Sequence, residues 1–253
     1  MRFALLFGIA AIARGEIRDI AYSHDHGKQK LDLYLPEGRT NFPVMVFIHG
    51  GAWRIGDRSF YRKVGVHFSR EGIGVVIPSY RLAPIYRHPA QIEDVAAAFA
   101  WTVRNIAIHG GDVSRIYLVG HSAGGHLASL LALDDRYLAA QGISRNKIAG
   151  VVSMSGVYSI GRLEWNFGTT AQARRNASPL DHVKAGAPPF LIMYCQWDYI
   201  TLAGQAKKFH KALMKAGVKS EMIRLLGKNH VNEVYAITKG DDRGEKAILR
   251  FVR

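Results

Sequence analysis

The chain has 253 residues, 48% hydrophobic and 21% charged, which suits one soluble globular domain whose core needs no disulfide or metal and leaves no room for large-scale disorder. Its 34 Lys and Arg against 20 Asp and Glu give a formal charge of +14, yet no zinc-finger, KH or RRM pattern accompanies it, so no nucleic-acid partner is expected. The cations instead fall at helical-face spacing, Lys207, Lys208, Lys211 and Lys215, and around one loop, Arg54, Arg58, Arg62 and Lys63, where solvated faces explain them.

In chain order, Arg2, the apolar run Phe3 to Ala10 and Ala11-Ile12-Ala13 make residues 1–13 a candidate signal peptide or its remnant. That reading implies a secreted or periplasmic protein; a first helix packed on the domain, in a cytoplasmic protein, is the alternative. No stretch reaches the roughly 20 apolar residues of a membrane span, so no integral membrane segment is expected. Ile17 to Ser23 and Gln29 to Leu35 alternate polar and apolar residues, as an opening antiparallel hairpin does. Short apolar runs then alternate with helical segments: Val44 to Ile48, Ile73 to Ile77, Ile116 to Val119, Ile148 to Met154, Phe190 to Tyr194 and Glu221 to Leu226. This is the rhythm of an α/β domain over residues 14–253, a mostly parallel sheet of about eight strands with helices on both faces. Between them, Ser59 to Arg70 reads as a helix capped by its serine, and Pro89 to Ile108 as a long one ending at Gly110-Gly111. The lone Cys195 lies in an apolar run and reads as core packing. Residues 156–188, with Trp165, Phe167, Arg174 and Arg175, read as a small cap or as an ordinary crossover helix.

In an open sheet of this kind, catalytic groups gather at the carboxyl ends of the strands. There Gly120-His121-Ser122-Ala123-Gly124 spells G-x-S-x-G between a strand and a helix, a turn that lifts a serine hydroxyl clear of the sheet. In a chain with 26 glycines the pentapeptide alone is weak, and a glycine-rich turn with an incidental serine is its competitor. Further residue types fall where nucleophilic catalysis needs them. Asp198 follows the strand Phe190 to Tyr194, and His230 follows Glu221 to Leu226, in the order Ser, Asp, His. Separately, Asp198 could cap a helix starting near Thr201 and His230 could be a surface loop histidine; together with Ser122 they form a candidate triad. His49-Gly50-Gly51-Ala52-Trp53 follows Val44 to Ile48, and the backbone amides of Gly51, Ala52 and Ala123 are the candidate oxyanion donors. Trp53 walls the substrate pocket or packs beneath the loop; with His121, Trp165 and Trp197 it makes up the candidate substrate-binding set.

These motifs, with Gly56-Asp57, Tyr80 to Pro84, Glu93-Asp94, Gly110 to Asp112, Ser178-Pro179-Leu180 and their order, resemble the α/β-hydrolase esterases. Within them the chain is most similar to the feruloyl-esterase-like and arylformamidase-like carboxylesterases near the hormone-sensitive lipase group. The resemblance covers nearly the whole chain after residue 15. It implies an α/β-hydrolase fold and a serine carboxylesterase acting through an acyl-enzyme on Ser122, with no metal or other cofactor. The implied substrates are small-molecule or polysaccharide-linked short-chain acyl, acetyl or feruloyl esters, and the implied assembly is a monomer or homodimer. It also implies scaffold roles for Tyr80, Arg81, Asp94 and Asp112. An arylformamidase uses the same apparatus, and a ligand-binding protein on a retired hydrolase scaffold is the non-enzymatic alternative. The chain departs from the pattern at Ala52, where the hormone-sensitive type has a third glycine, and at Tyr194 to Trp197, where a His-Gly pair is usual.

Overall fold

The computed structural model describes residues 15–253 except Arg162 and Asp241; the candidate leader at 1–13 lies outside the described residues. The opening alternation forms β1 (Gly15–Ala21) and β2 (Lys30–Leu35), an antiparallel pair. The apolar runs form β3 (Phe42–Ile48), β4 (Gly74–Pro78), β5 (Gly111–His121), β6 (Ile148–Met154), β7 (Phe190–Trp197) and β8 (Ser220–Asn229). Among the described residues they make one sheet in the order β1-β2-β4-β3-β5-β6-β7-β8. β2 runs antiparallel to β4, and every pair from β4 onward is parallel.

The helices are α1 (Arg62–Arg70), α2 (Ala90–Asn105), α3 (Ala123–Leu133), α4 (Asp135–Ala140), α5 (Glu164–Phe167), α6 (Ala171–Asn176), α7 (Leu202–Lys215), α8 (Asn232–Ala236) and α9 (Arg243–Val252). They divide between the two faces of the sheet because successive strand side chains point to opposite sides. In β3, Val44, Val46 and Ile48 share one core with Ile92, Val95 and Phe99 of α2 and Phe209 of α7. Met45 and Phe47 share the other with Val64 and Phe68 of α1 and Ile248 of α9. Both faces being covered, the central strands read as unbroken apolar runs. α3 is buried along its whole length, Ala123 to Leu133, which is why its sequence AGGHLASLLAL has no polar face.

Three details differ from the sequence expectation. The segment from Ser59 starts as a 3-10 turn, Arg58–Tyr61, capped by the carboxylate of Asp57, which accepts the Ser59 N–H at 3.1 Å. α2 stops at Asn105 and gives way to a 3-10 turn, Ile106–His109. The lysines of α7 are exposed as expected, but Arg58 is not part of a solvated face. Its guanidinium is largely covered and pairs with Asp32 at 2.9 Å and with Asp19, joining β1, β2 and the turn.

Residues 156–188 hold α5, α6 and a 3-10 turn, Pro179–His182. The segment is pinned to the domain: Gln205 of α7 accepts the Tyr158 and Ser159 N–H groups at 2.8 and 2.9 Å, and His126 of α3 donates to the Ala177 carbonyl at 2.7 Å. His126 also accepts from the Trp53 indole at 3.2 Å, so both its nitrogens are engaged in the neutral form.

Burial pushes His49 and His88 down from 6.5 to about 4, and His126 to about 3. Each folded value lies below the unfolded one, so the unfolded chain takes up protons that the native state refuses. The stabilisation from keeping these rings neutral is complete above about pH 6.5 and is lost as pH falls toward 4, on the order of 3 kcal/mol per fully buried ring. Thermal melts between pH 7 and 4 should show a steep fall in midpoint across that window, and His126→Gln should flatten it.

Candidate active site

Between β5 and α3 the chain turns within one residue. Ser122 carries φ 55 and ψ −117, a left-handed conformation for a residue with a side chain, and the turn holds because close packing leaves no alternative. A Cβ on Gly120 would lie 2.2 Å from the Gly124 carbonyl oxygen, and one on Gly124 would lie 2.0 Å from that of Ile48. Both positions therefore exclude side chains, and Ser122 stands at the carboxyl end of the sheet.

The loops after β7 and β8 reach the same point. His230 Nε2 is 2.8 Å from Ser122 Oγ, and His230 Nδ1 is 2.7 Å from Asp198 Oδ1. Asp198 caps no helix: its Oδ1 also accepts the Tyr199 N–H at 2.9 Å, and its Oδ2 accepts the Cys195 N–H at 3.4 Å. Burial alone would raise its carboxyl, but hydrogen bonds from His230 and Ser155 and the nearby imidazole outweigh it and hold Asp198 below the usual carboxylate range. An anionic Asp198 fixes the His230 tautomer with its proton on Nδ1, leaving Nε2 free to accept from Ser122.

The loop after β3 is fixed in the same way. Ala52 and Trp53 adopt φ 50 and 59. The His49 ring stacks on Tyr80 at 4.1 Å between centroids, the Tyr80 hydroxyl donates to the His49 carbonyl at 2.9 Å, and the Gly50 N–H donates to the Tyr61 hydroxyl at 3.2 Å. Arg81 and the buried Asp94 are paired at 2.7 Å, and Asp112 holds Ser114 and Arg115. All four residues expected as scaffold thus make contacts within the fold.

A cavity of about 410 Å³ opens over Ser122 and His230, lined on one side by Gly51, Ala52 and Ile55 and on the other by Tyr61, Val64, Val234 and Tyr235. Gly51 and Ala52 face it. Ala123 does not, being buried, but it is the first residue of α3, where N–H groups lack helical partners. His121 lines the cavity as expected. The three tryptophans do not. Trp53 is only 4% exposed, held by its bond to His126 and the edge of Phe167 at 4.9 Å. Trp165 packs beside Trp53 under Arg54, and Trp197 ends β7 with its ring in solvent. Among the described residues, none of 156–188 lines the cavity either. The wall comes instead from the turn before α1 and from α8, whose Phe60, Val234 and Tyr235 carried no motif. The Tyr199 ring, 4.4 Å from His230, was also missed; its position immediately after Asp198 was the available signal.

Residues 31–213 match the model of the BD-FAE family. The chain belongs to the BD-FAE family. The match takes in Ser122 and Asp198, while His230 lies beyond it and is tied to the site by geometry. This BD-FAE chain is 30% identical to a probable isoprenylcysteine alpha-carbonyl methylesterase of Arabidopsis thaliana, over 85% of its own length and 51% of the relative. It is 31% identical to Esterase LipC of Mycobacterium tuberculosis, over 79% of its length and 57% of that protein. It thus spans about half the length of the curated relatives it matches. In three dimensions it superposes on an inhibited esterase B from Lactobacillus rhamnosis with a TM-score of 0.80 at 24% identity, covering 93% of this chain and 85% of that one. A truncated carbohydrate esterase from gut microbiota gives 0.78 at 22%, covering 95% and 96%. The fold is the α/β-hydrolase fold.

Because Trp53 is packed beneath the loop, Trp53→Ala should cost about 3–5 kcal/mol of stability. Phe60→Ala, at a rim residue 72% exposed, should stay within about 0.5 kcal/mol of the parent. Chemical denaturation of the two variants checks this contrast.

Proposed function

We propose that this chain is a serine carboxylic ester hydrolase working through an acyl-enzyme on Ser122. The observation that carries the reading is the unbroken hydrogen-bonded series Asp198, His230, Ser122 on the floor of an open cavity. Ser122 Oγ attacks the ester carbonyl carbon as His230 Nε2 takes its proton, and Asp198 stabilises the imidazolium that forms. The amides of Gly51, Ala52 and Ala123 receive the oxyanion, His230 returns the proton to the departing alcohol, and water, activated by the same imidazole, releases the acid. A retired binding scaffold would have no need to keep all three side chains in register.

The cavity supports esters with one compact apolar arm, acetyl, short acyl or aryl such as feruloyl, whether free or attached to a polysaccharide. Its wall is mostly apolar, from Ile55, Phe60, Val64 and Val234, and its mouth is open enough for a second arm to extend into solvent. The esterase names among the relatives and structural neighbours favour the same chemistry.

Ser122→Ala should lower hydrolysis of p-nitrophenyl acetate at least about 10³-fold with the fold unchanged by circular dichroism; parent-like turnover would exclude the mechanism. The rate should fall toward acid, because the mechanism needs a base with Nε2 unprotonated, while Asp198, held below the usual carboxylate range, remains ionised. Asp198→Asn should therefore reduce kcat by about 10⁴ even on the alkaline side of the limb. A pH–rate series on parent and variant reads both effects.

A further inference from the structure

Behind the triad lies a carboxylate that the mechanism so far leaves unused. Glu233 sits on α8, three residues after His230, and is 0% exposed. A buried carboxylate needs strong partners, and its surroundings supply few. Oε2 accepts from the Cys195 thiol at 3.1 Å, a weak donor. Burial, then the charge of Glu233 itself, pushes that thiol up and keeps it protonated. Oε1 has no hydrogen-bond partner among the described residues, yet lies 3.2 Å from His121 Nε2. That same nitrogen donates to the His230 carbonyl oxygen at 2.8 Å. His121, His230 and Glu233 each place a polar atom within 4.8 Å of the others, and the two imidazoles lie 4.9 Å apart.

We propose that Glu233 is a second carboxylate serving the catalytic base: it lies against the His121 N–H that holds the backbone of His230, and its charge favours the imidazolium that His230 becomes during acyl transfer. The inference rests on the serine mechanism above. The groups facing His230 are Asp198 from the loop after β7, His121 from β5, Glu233 from α8, Tyr199 and Ser122; Cys195 and Tyr158 face Glu233. Of these, only Asp198 and Glu233 carry carboxyl groups. Asp198 binds the ring directly, and Glu233 acts as a positioning residue, its unpaired Oε1 lying 3.2 Å from His121 Nε2. His121 is thereby explained as well. The residue before the nucleophile ties the end of β5 to the segment after β8, with Nε2 committed to His230 and Nδ1 left without a partner at the oxyanion loop.

Glu233→Gln removes the charge and keeps the shape. Its kcat on p-nitrophenyl acetate should fall about 10- to 100-fold with KM little changed, and its acid limb should move down by about one pH unit, because losing a nearby negative charge disfavours the protonated imidazole. In a His121→Gln background the same substitution should lower kcat little further, since the positioning runs through His121, while the shift of the acid limb should remain. If the Glu233 variant lowers the melting midpoint yet leaves kcat within twofold and the acid limb in place, the carboxylate is only structural and the inference is overturned. Should that variant fail to fold, Glu233→Leu, which also removes the carboxylate, carries the test: an unmoved acid limb overturns the inference. Ser122→Ala separates the two levels of argument. If it is inactive while Glu233→Gln behaves as the parent, the base reading stands without its second carboxylate; if it is active, the base reading itself fails.

Discussion

The amino end of α3 approaches the carboxyl ends of β3 and β5 so closely that no side chain fits between them. The distances of 2.0 and 2.2 Å that hypothetical Cβ atoms on Gly124 and Gly120 would make to backbone oxygens set that limit. With the helix driven against the sheet, the residue joining them has no extended or right-handed path, and Ser122 is forced to φ 55. Strain of this kind persists only where the surroundings over-determine it. Here they do, because α3 is buried on every side and cannot withdraw without exposing Leu127, Leu130 and Leu131.

From that contact the rest of the site follows. A serine raised at the end of β5 is reachable from the loops after β7 and β8, which end on the same edge because the strands are parallel. The loop after β3 reaches the same place, and its shape is set by largely buried polar groups. The stack of His49 on Tyr80 and the Gly50 bond to Tyr61 leave the loop little freedom. The cost of a buried imidazole is met by holding it neutral, the same solution found at His126, where Trp53 and Ala177 occupy both ring nitrogens.

Much of this was legible because it is local. The alternation in Ile17 to Ser23 and Gln29 to Leu35 marks half-exposed strands, and the unbroken run Val44 to Ile48 marks a strand covered on both faces; the structure has β1, β2 and β3 there. Ser122, Asp198 and His230 could be placed because each follows a strand directly, so chain position and spatial position coincide. The tryptophans could not be placed, for the opposite reason. An indole is chemically suited to a pocket wall and to a core alike, and only the orientation of its element decides. Trp53 turned inward to His126, while the cavity wall was left to Phe60, Val64, Val234 and Tyr235.

The sequence by itself determined the elements, their order and the three side chains brought together at the strand ends, since periodicity, glycine spacing and turn chemistry act over a few residues. Only the tertiary structure decided that β4 would lie between β2 and β3, that the described residues of 156–188 would pack on α3 and α7 without lining the cavity, and that Glu233 would lie buried against His121. These outcomes depend on which distant surfaces fill one another's volume and on which buried charges find partners. Both are properties of contacts between residues far apart in the chain, and no local pattern records them.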